Sequence, residues 1–113
     1  MEMIIKHLSE ISEVPHPKFE NVFIRQLATT AETERLSASI VRIMPNATLS
    51  PHVHDVMEMF YMLRGEGEAF IEEEKKIVTE GNLIIAPPGK VHGMKNIGES
   101  DILLYAVFSP GIA

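Results

Sequence analysis

The stretch PHVHDVMEMFYMLRG, residues 51–65 of this 113-residue chain, contains the pattern that decides the fold. It places His52 and His54 two residues apart, and Glu58 four residues after the second histidine. On a helix, residues two apart point about 200° around the axis from each other, whereas on a strand they lie on one face. Two histidines that act together at this spacing therefore indicate a β-strand.

The glutamate can join the histidines only if the chain bends. A straight strand would separate His54 from Glu58 by about 13 Å, because each residue advances the chain by about 3.3 Å. We therefore predict a bend over residues 55–57. In this arrangement the two histidines close one strand, and Glu58 opens the next strand and points back at the same spot.

The composition excludes several classes of protein. A chain of 113 residues, 45% apolar and 23% charged, is expected to form one globular domain. The net charge of −6 and the absence of a Lys/Arg stripe argue against a nucleic-acid partner. No apolar run is long enough to span a membrane, and residues 1–8 lack the apolar core of a signal peptide, so we expect a cytoplasmic protein. Because the chain has no Cys, any metal must be bound by His and carboxylate.

Short segments rich in β-branched and aromatic residues alternate with turns along the chain. Turn residues such as Pro45-Asn46 and Pro87-Pro88-Gly89 separate them. The pattern predicts an antiparallel all-β sandwich or barrel, preceded by an N-terminal arm of about 20 residues. The predicted strands are residues 21–27, 38–44, 59–63, 67–71, 76–79, 82–86 and 102–108.

A further candidate ligand, His92, lies in the stretch GNLIIAPPGKVHGMKN, residues 81–96. The tight turn at residues 87–89 re-aims the chain, so we expect His92 to enter the interior from a neighbouring strand.

Together the two stretches resemble the two sequence motifs of the cupin family. The first motif is a Gly, five residues, HxH, three or four residues, a Glu, six residues and a Gly, and it is matched at His52, His54, Glu58 and Gly65. Asn46 stands where the first Gly belongs, and Asn tolerates the positive φ that Gly would supply there. The second motif is matched in full by Gly81, Pro87, Gly89, His92 and Asn96.

The resemblance implies a single domain, residues 1–113, folded as a jelly-roll barrel (a double-stranded β-helix), with its metal-binding motifs at residues 46–65 and 81–96. It also implies one divalent transition metal near the barrel axis, held by His52, His54, Glu58 and His92. Three imidazoles and one carboxylate suit Fe, Mn, Ni, Cu or Zn and do not choose among them. An octahedral ion would keep two positions for water or substrate.

Four further residues are candidates for a substrate pocket. Phe60 and Met62 share strand parity with Glu58, and Met94 shares parity with His92, so they either wall an apolar pocket or fill the core of a small barrel. Arg42 lies in an otherwise apolar strand, where it either holds a substrate carboxylate or takes a solvated or edge position. His7 and His16 carry no such pattern and are expected at the surface.

The resemblance leaves the reaction open. An oxygenase that acts on a small organic molecule is the first hypothesis, favoured by the Met-rich lining and the lack of clustered pocket charges. A non-redox isomerase or lyase for a sugar or organic acid, with the metal as Lewis acid, is the second, and a ligand-binding or sensor domain is the third. A homodimer is expected in each case, because exposed sheet edges and the apolar outer positions Met59, Tyr61 and Leu63 need covering.

Overall fold

The computed structural model describes residues 3–113 and is built almost entirely of β-strands. A 3-10 turn at Leu8–Glu10 and the short helix α1 (Thr30–Thr33) are its helical elements within that range. The strands are β1 (Val14–Pro15), β2 (Val22–Ala28), β3 (Ser37–Ile43), β4 (Thr48–His52), β5 (Met57–Arg64), β6 (Glu66–Ile71), β7 (Glu74–Thr79), β8 (Leu83–Ala86), β9 (His92–Asn96) and β10 (Ile102–Ser109).

The strands form two antiparallel sheets. One has six strands in the order β1-β2-β3-β10-β5-β8, and the other has four in the order β4-β9-β6-β7. This arrangement confirms the predicted all-β jelly roll. The core between the sheets consists of buried apolar side chains, namely Val22, Val41, Ile43, Ala47, Leu49, Phe60, Met62, Ala69, Val78, Ala86, Met94, Ile102, Leu104 and Ala106.

Alternation along β5 shows how the sequence pattern positions the interior. Glu58, Phe60 and Met62 are buried, whereas Tyr61 and Leu63 are exposed on the outer face. Because successive side chains on a strand point to opposite faces, the parity predicted from Glu58 holds over this strand.

Strand β9 forms in spite of its sequence, His-Gly-Met-Lys-Asn, which contains no β-branched residue. It pairs with β4 on one side and with β6 on the other. Hydrogen bonding on both edges therefore stabilises a strand that the local sequence does not favour. This pairing is what carries His92 into the interior.

Two turns show why particular residues are needed. Asn46 has φ 68°, which confirms the left-handed conformation predicted where the family motif has Gly. Gly65 has φ 100°, and a Cβ built on it would lie 2.8 Å from the Cα of Ile102. A side chain at position 65 would therefore be strained twice, by its own backbone and by strand β10.

Asn96, the last residue of the second motif, is fully buried and structural. Its Nδ2 donates to the carbonyls of Ile43 and Ser100, both at 2.9 Å, and its Oδ1 accepts from the amide of Gly98 at 2.9 Å. These bonds join the end of β9 to β3 and to the turn that leads into β10.

Candidate metal centre

Four side chains converge in the interior, and we refer to His52, His54, Glu58 and His92 as the His/Glu cluster. Each offers one ligand atom, and these atoms all lie within 4.8 Å of one another. The fold therefore brings together all four residues that the sequence motifs single out. Three nitrogen donors and one carboxylate oxygen at this spacing fit a divalent transition metal.

The strands place the cluster from two directions. His52 is the last residue of β4 and is paired directly with His92, the first residue of β9. Glu58 is the second residue of β5, and the bend before it lies at residues 55–56. His54 differs from the prediction, because it lies beyond the end of β4 rather than on the strand. Its carbonyl accepts from the amide of Gly89 at 2.8 Å, which fixes the chain there.

Backbone carbonyls orient two of the imidazoles. His52 Nδ1 donates to the carbonyl of Ser50 at 2.7 Å, and His92 Nδ1 donates to the carbonyl of Lys90 at 3.0 Å. Since a carbonyl only accepts, both rings carry their proton on Nδ1 and offer Nε2 as the ligand atom.

Glu58 lies at the centre of the cluster. Its Oε1 is 2.8 Å from His92 Nε2 and 3.8 Å from His54 Nε2. Because the Nδ1 proton of His92 is already bonded to a carbonyl, the 2.8 Å contact requires a second proton between imidazole and carboxylate. Binding of a metal ion would displace that proton, as it does at protein metal sites generally.

Burial governs the protonation of the cluster. Glu58 is 4% exposed and His92 is 2% exposed. Burial raises the pKa of Glu58 above its ordinary value, and the hydrogen bond to His92 opposes part of that rise. Burial also acts to lower the pKa of His92, but its hydrogen bonds to Glu58 and to the Lys90 carbonyl outweigh this and raise the pKa.

The other two imidazoles behave differently. Burial lowers the pKa of His52 and of His54 below the ordinary value of 6.5, and the neighbouring imidazoles add to the effect. Both rings are therefore neutral near pH 7, which is the form that binds a metal. The cluster combines neutral nitrogen donors with a desolvated carboxylate, and a divalent cation would offset the charge of that carboxylate.

A cavity of about 380 Å³ opens beside the cluster. One part of its wall is apolar, and the other carries hydroxyl, amide, imidazole and ammonium groups. The apolar part includes Ile24, Val41, Leu49, Phe60, Phe108 and Ile112, and the polar part consists of His16, Lys18, Gln26, Ser37 and Ser39. The cavity therefore provides both packing surface and hydrogen-bonding groups within reach of the cluster.

Of the predicted pocket residues, Phe60 lines this cavity. Met62 and Met94 are fully buried in the core between the sheets and do not line it. Met62 and Met94 therefore fill the core, which was one of the two roles predicted for them.

Arg42 lies on the outer face. Its guanidinium pairs with Glu13 at 2.8 Å and with Asp101 at 3.0 Å, and it stacks over the ring of Phe23 at 4.4 Å. On β3 it alternates with Val41, which faces the cavity, so Arg42 points away from it. A role in holding a substrate carboxylate in this cavity is therefore wrong, and the outer position is the one observed.

Most of the polar wall was not predicted from the sequence. Ser37 and Ser39 share strand parity with Val41 on β3, so parity groups the three on one face of the sheet once the inner face is known. His16 was expected at the surface, but it is half-buried and lines the cavity. No local sequence pattern predicts that His16 lines the cavity, because its position depends on how the loop after β1 folds over the barrel.

Comparison with known sequences finds matches over most of the chain. A protein-family model for the Cupin domain matches residues 39–108. An uncharacterized protein of Aquifex aeolicus (strain VF5) is 33% identical over 106 residues, which is 93% of this chain and 85% of that protein. The pectin degradation protein KdgF of Dickeya dadantii (strain 3937) is 28% identical over 99 residues, which is 87% of each chain.

Solved structures resemble the whole fold. A Thermotoga maritima protein named as a predicted oxalate decarboxylase has a TM-score of 0.87 at 19% identity, over 95% of this chain and 99% of that one. At that identity the likeness concerns the fold alone. KdgF from Halomonas sp. has a TM-score of 0.79 at 26% identity, over 90% of both chains.

Within residues 3–113 no helix is long and apolar enough to cross a membrane.

Proposed function

Because this chain belongs to the cupin family, we propose that it is a metal-dependent enzyme that acts on a small sugar acid derived from pectin, without net oxidation of the substrate. The proposal develops the second of the three hypotheses drawn from the sequence. The observation that carries it is the polar wall of the cavity beside the His/Glu cluster. The two KdgF proteins support the link to pectin, since one is matched by sequence and the other by structure over most of the chain.

The cavity suits a hydroxylated substrate in size and chemistry. A volume of about 380 Å³ lies in the range of small-ligand sites. Gln26 donates its Nε2 to the carbonyls of Ala28 and Ala38 at 2.8 and 3.0 Å, which leaves its Oε1 as an acceptor for a substrate hydroxyl. Phe60 and Phe108 supply apolar surface on which the carbon side of a sugar ring can pack.

The protein's residues and a bound metal ion would have different roles in the reaction. A divalent ion held by the His/Glu cluster would supply Lewis-acid polarisation of a substrate oxygen. The Ser50 and Lys90 carbonyls hold the imidazoles of His52 and His92 in the orientation that binding requires. Glu58 supplies the negative charge at the centre of the cluster.

Two features of the sequence favoured the oxygenase hypothesis, and the cavity has neither of them. The hypothesis depended on a Met-rich lining and on the absence of pocket charges, but Met62 and Met94 are packed in the core and Lys18 lines the cavity. The ligand set itself suits either chemistry, so the distinction is an experimental one.

The experiment loads metal-free protein with Zn²⁺, Mn²⁺ or Fe²⁺ in turn and supplies galacturonate and a lyase digest of pectin. Reactions run in air and under nitrogen, with NMR as the readout. We expect substrate conversion under nitrogen and with Zn²⁺, because no electron leaves the substrate. His92→Ala should abolish it, and His7→Ala is the matched control. Conversion that requires both O2 and a redox-active metal would contradict the proposal.

We further propose that two copies associate through the outer face of the six-stranded sheet. Large apolar side chains are exposed side by side on β5, β8 and β10, namely Tyr61, Leu63, Leu83, Ile85 and Tyr105. A contiguous apolar face of this kind is typical of an interface. Light scattering should give twice the 12.6 kDa of one chain, and Ile85→Glu should return it to one. A wild-type mass of 12.6 kDa at micromolar concentration would contradict the dimer.

A further inference from the structure

His16 lines the cavity but stands outside the His/Glu cluster. The ring of Phe19 packs near both His16 and the cluster: the ring centroids of His16 and Phe19 are 4.6 Å apart, and those of Phe19 and His52 are 5.7 Å apart. His16 offers no atom to the His/Glu cluster. Its position on the cavity wall instead places it beside a ligand that occupies the cavity.

The surrounding loop fixes the proton of His16 on one nitrogen. Its Nδ1 accepts from the backbone amides of Lys18 at 3.0 Å and Phe19 at 3.3 Å. A nitrogen that faces two N–H donors cannot carry a proton itself, so the proton of the neutral ring is on Nε2. The amide of His16 also donates to the carbonyl of Val22 at 2.8 Å, which closes the loop. His16 is therefore held as an Nε2–H donor.

That donor is available to a ligand. Nε2 has no hydrogen-bond partner among the residues that the structure describes, and it is not sealed from solvent. Burial is the main cause of the lowered pKa of His16, and the nearby imidazole of His52 and ammonium group of Lys18 lower it further, so the ring stays neutral near pH 7. The Nε2–H therefore remains a hydrogen-bond donor near neutral pH.

The charges around this donor favour an anion. Lys18, on the same loop, also lines the cavity and brings a positive charge. Among the described side chains of the cavity wall, Glu58 is the only acidic one, and it is paired with His92. On a chain with a net charge of −6, Lys18 is the one charged side chain that the described cavity wall carries outside the His/Glu cluster. An ammonium group beside an N–H donor is suited to a carboxylate.

We infer that the loop carrying His16 and Lys18 selects substrates with a carboxylate, because His16 Nε2–H donates to a carboxylate oxygen and Lys18 supplies the opposite charge. The inference rests on the proposed function for the substrate class, and it assigns the acidic end of that substrate to this loop. The reacting end is then left to the His/Glu cluster.

Three variants separate this role from a merely structural one. In His16→Asn, the amide oxygen can still accept from the backbone amides two and three residues on, as Asn does in Asx turns, but the Nε2–H is gone. His16→Ala loses both functions, and Lys18→Gln loses only the charge. Binding is measured by calorimetry on the Zn²⁺-loaded protein. The probes are galacturonate against galactose, and benzoate against benzamide, so that each pair differs mainly in the carboxylate.

We expect the wild-type protein to bind galacturonate more tightly than galactose. His16→Asn should weaken galacturonate binding by roughly ten-fold or more, the loss expected for a hydrogen bond to a charged group, and leave galactose binding, zinc content and melting temperature unchanged. If His16→Asn binds galacturonate as the wild type does while His16→Ala does not, the histidine only closes the loop and the inference is wrong. Equal binding of galacturonate and galactose by the wild type would also overturn it.

The two probe pairs distinguish this inference from the proposed function. A preference for benzoate over benzamide that depends on His16, without any binding of galacturonate, would sustain the inference and reject the sugar-acid substrate. Turnover or binding of galacturonate that is the same in all variants would sustain the function and reject the inference. Failure of the wild type to bind any of the four probes would reject both.

Discussion

The inside and the outside of the barrel each hold a group of charged side chains, and the two groups differ in how their charges are balanced. Outside, Arg42 pairs with Glu13 and Asp101, and its hydrogen bond lowers the pKa of Glu13. Inside, burial raises the pKa of Glu58 in the His/Glu cluster. In the outer group, each charged side chain is paired with one of opposite charge. The inner group holds the neutral imidazoles of His52 and His54 beside the buried His92–Glu58 pair, and a divalent cation would replace the proton that this pair shares.

The largest effect is expected at Gly93, which follows His92 on β9. A Cβ at this position would overlap the carbonyl oxygen of Leu49 and the ring of Phe70. Gly93→Val should therefore lower the free energy of unfolding by about 3 kcal/mol, because β9, the strand that carries His92, is pushed away from Leu49 on β4 and Phe70 on β6.

Gly98→Ala is the matched control for that substitution. A Cβ there would meet its nearest atoms at 3.6 Å, an ordinary contact, so the free energy of unfolding should stay within about 0.5 kcal/mol. Chemical denaturation of both variants tests the prediction. Equal stability of Gly93→Val and Gly98→Ala would show that β9 is not packed as described.

Metal removal is expected to have the next largest effect. A ligand that binds only the folded chain stabilises it by about 2.7 kcal/mol when its free concentration is 100 times the dissociation constant. A chelator should therefore lower the melting temperature of the metal-loaded protein. The Arg42→Gln variant should show the same shift, because the outer group does not take part. An unchanged melting temperature in the wild type would count against an occupied site.

The smallest effect concerns the outer pair. The pKa of Glu13 lies below its ordinary value of 4.5, chiefly because Arg42 donates a hydrogen bond to it. A carboxylate with a lowered folded-state pKa stabilises the fold above its unfolded pKa and loses that contribution as the pH falls through the folded value. Glu13→Gln should cost less than about 1 kcal/mol near pH 7, since the pair is partly exposed.

Denaturation of Glu13→Gln and wild type at a series of pH values measures this contribution. The two stabilities should converge in acid, where Glu13 is protonated. A difference that persists unchanged below the folded pKa would show that the pair acts through packing rather than charge.

The convergence of the four candidate ligands was predictable because its signal is local. His52, His54 and Glu58 fall within seven residues, and a short turn places His92 at the start of the strand that pairs with β4. Alternation along β5 likewise placed Phe60 on the inner face. These conclusions need only strand geometry and a motif, and the fold and the convergence of the four side chains agree with them.

The rest depended on tertiary structure. The polar wall combines residues from β2, β3 and the loop at His16, all of which lie outside the two motifs. Arg42 illustrates the limit: an isolated charge in an apolar strand looks like a substrate anchor until Glu13 and Asp101, 29 and 59 residues away, are seen to pair with it. Which face of β3 is the inner one is settled by packing, not by the strand itself.

The metal content of the purified protein tests the central claim most directly. Elemental analysis should find close to one transition metal per chain in the wild type and in His7→Ala, whose imidazole lies outside the His/Glu cluster. His54→Ala and His92→Ala should each lose most of it, and Glu58→Gln should lose less, because an amide oxygen can still coordinate without the charge. Equal metal in the wild type and in both histidine variants would contradict the four-ligand site.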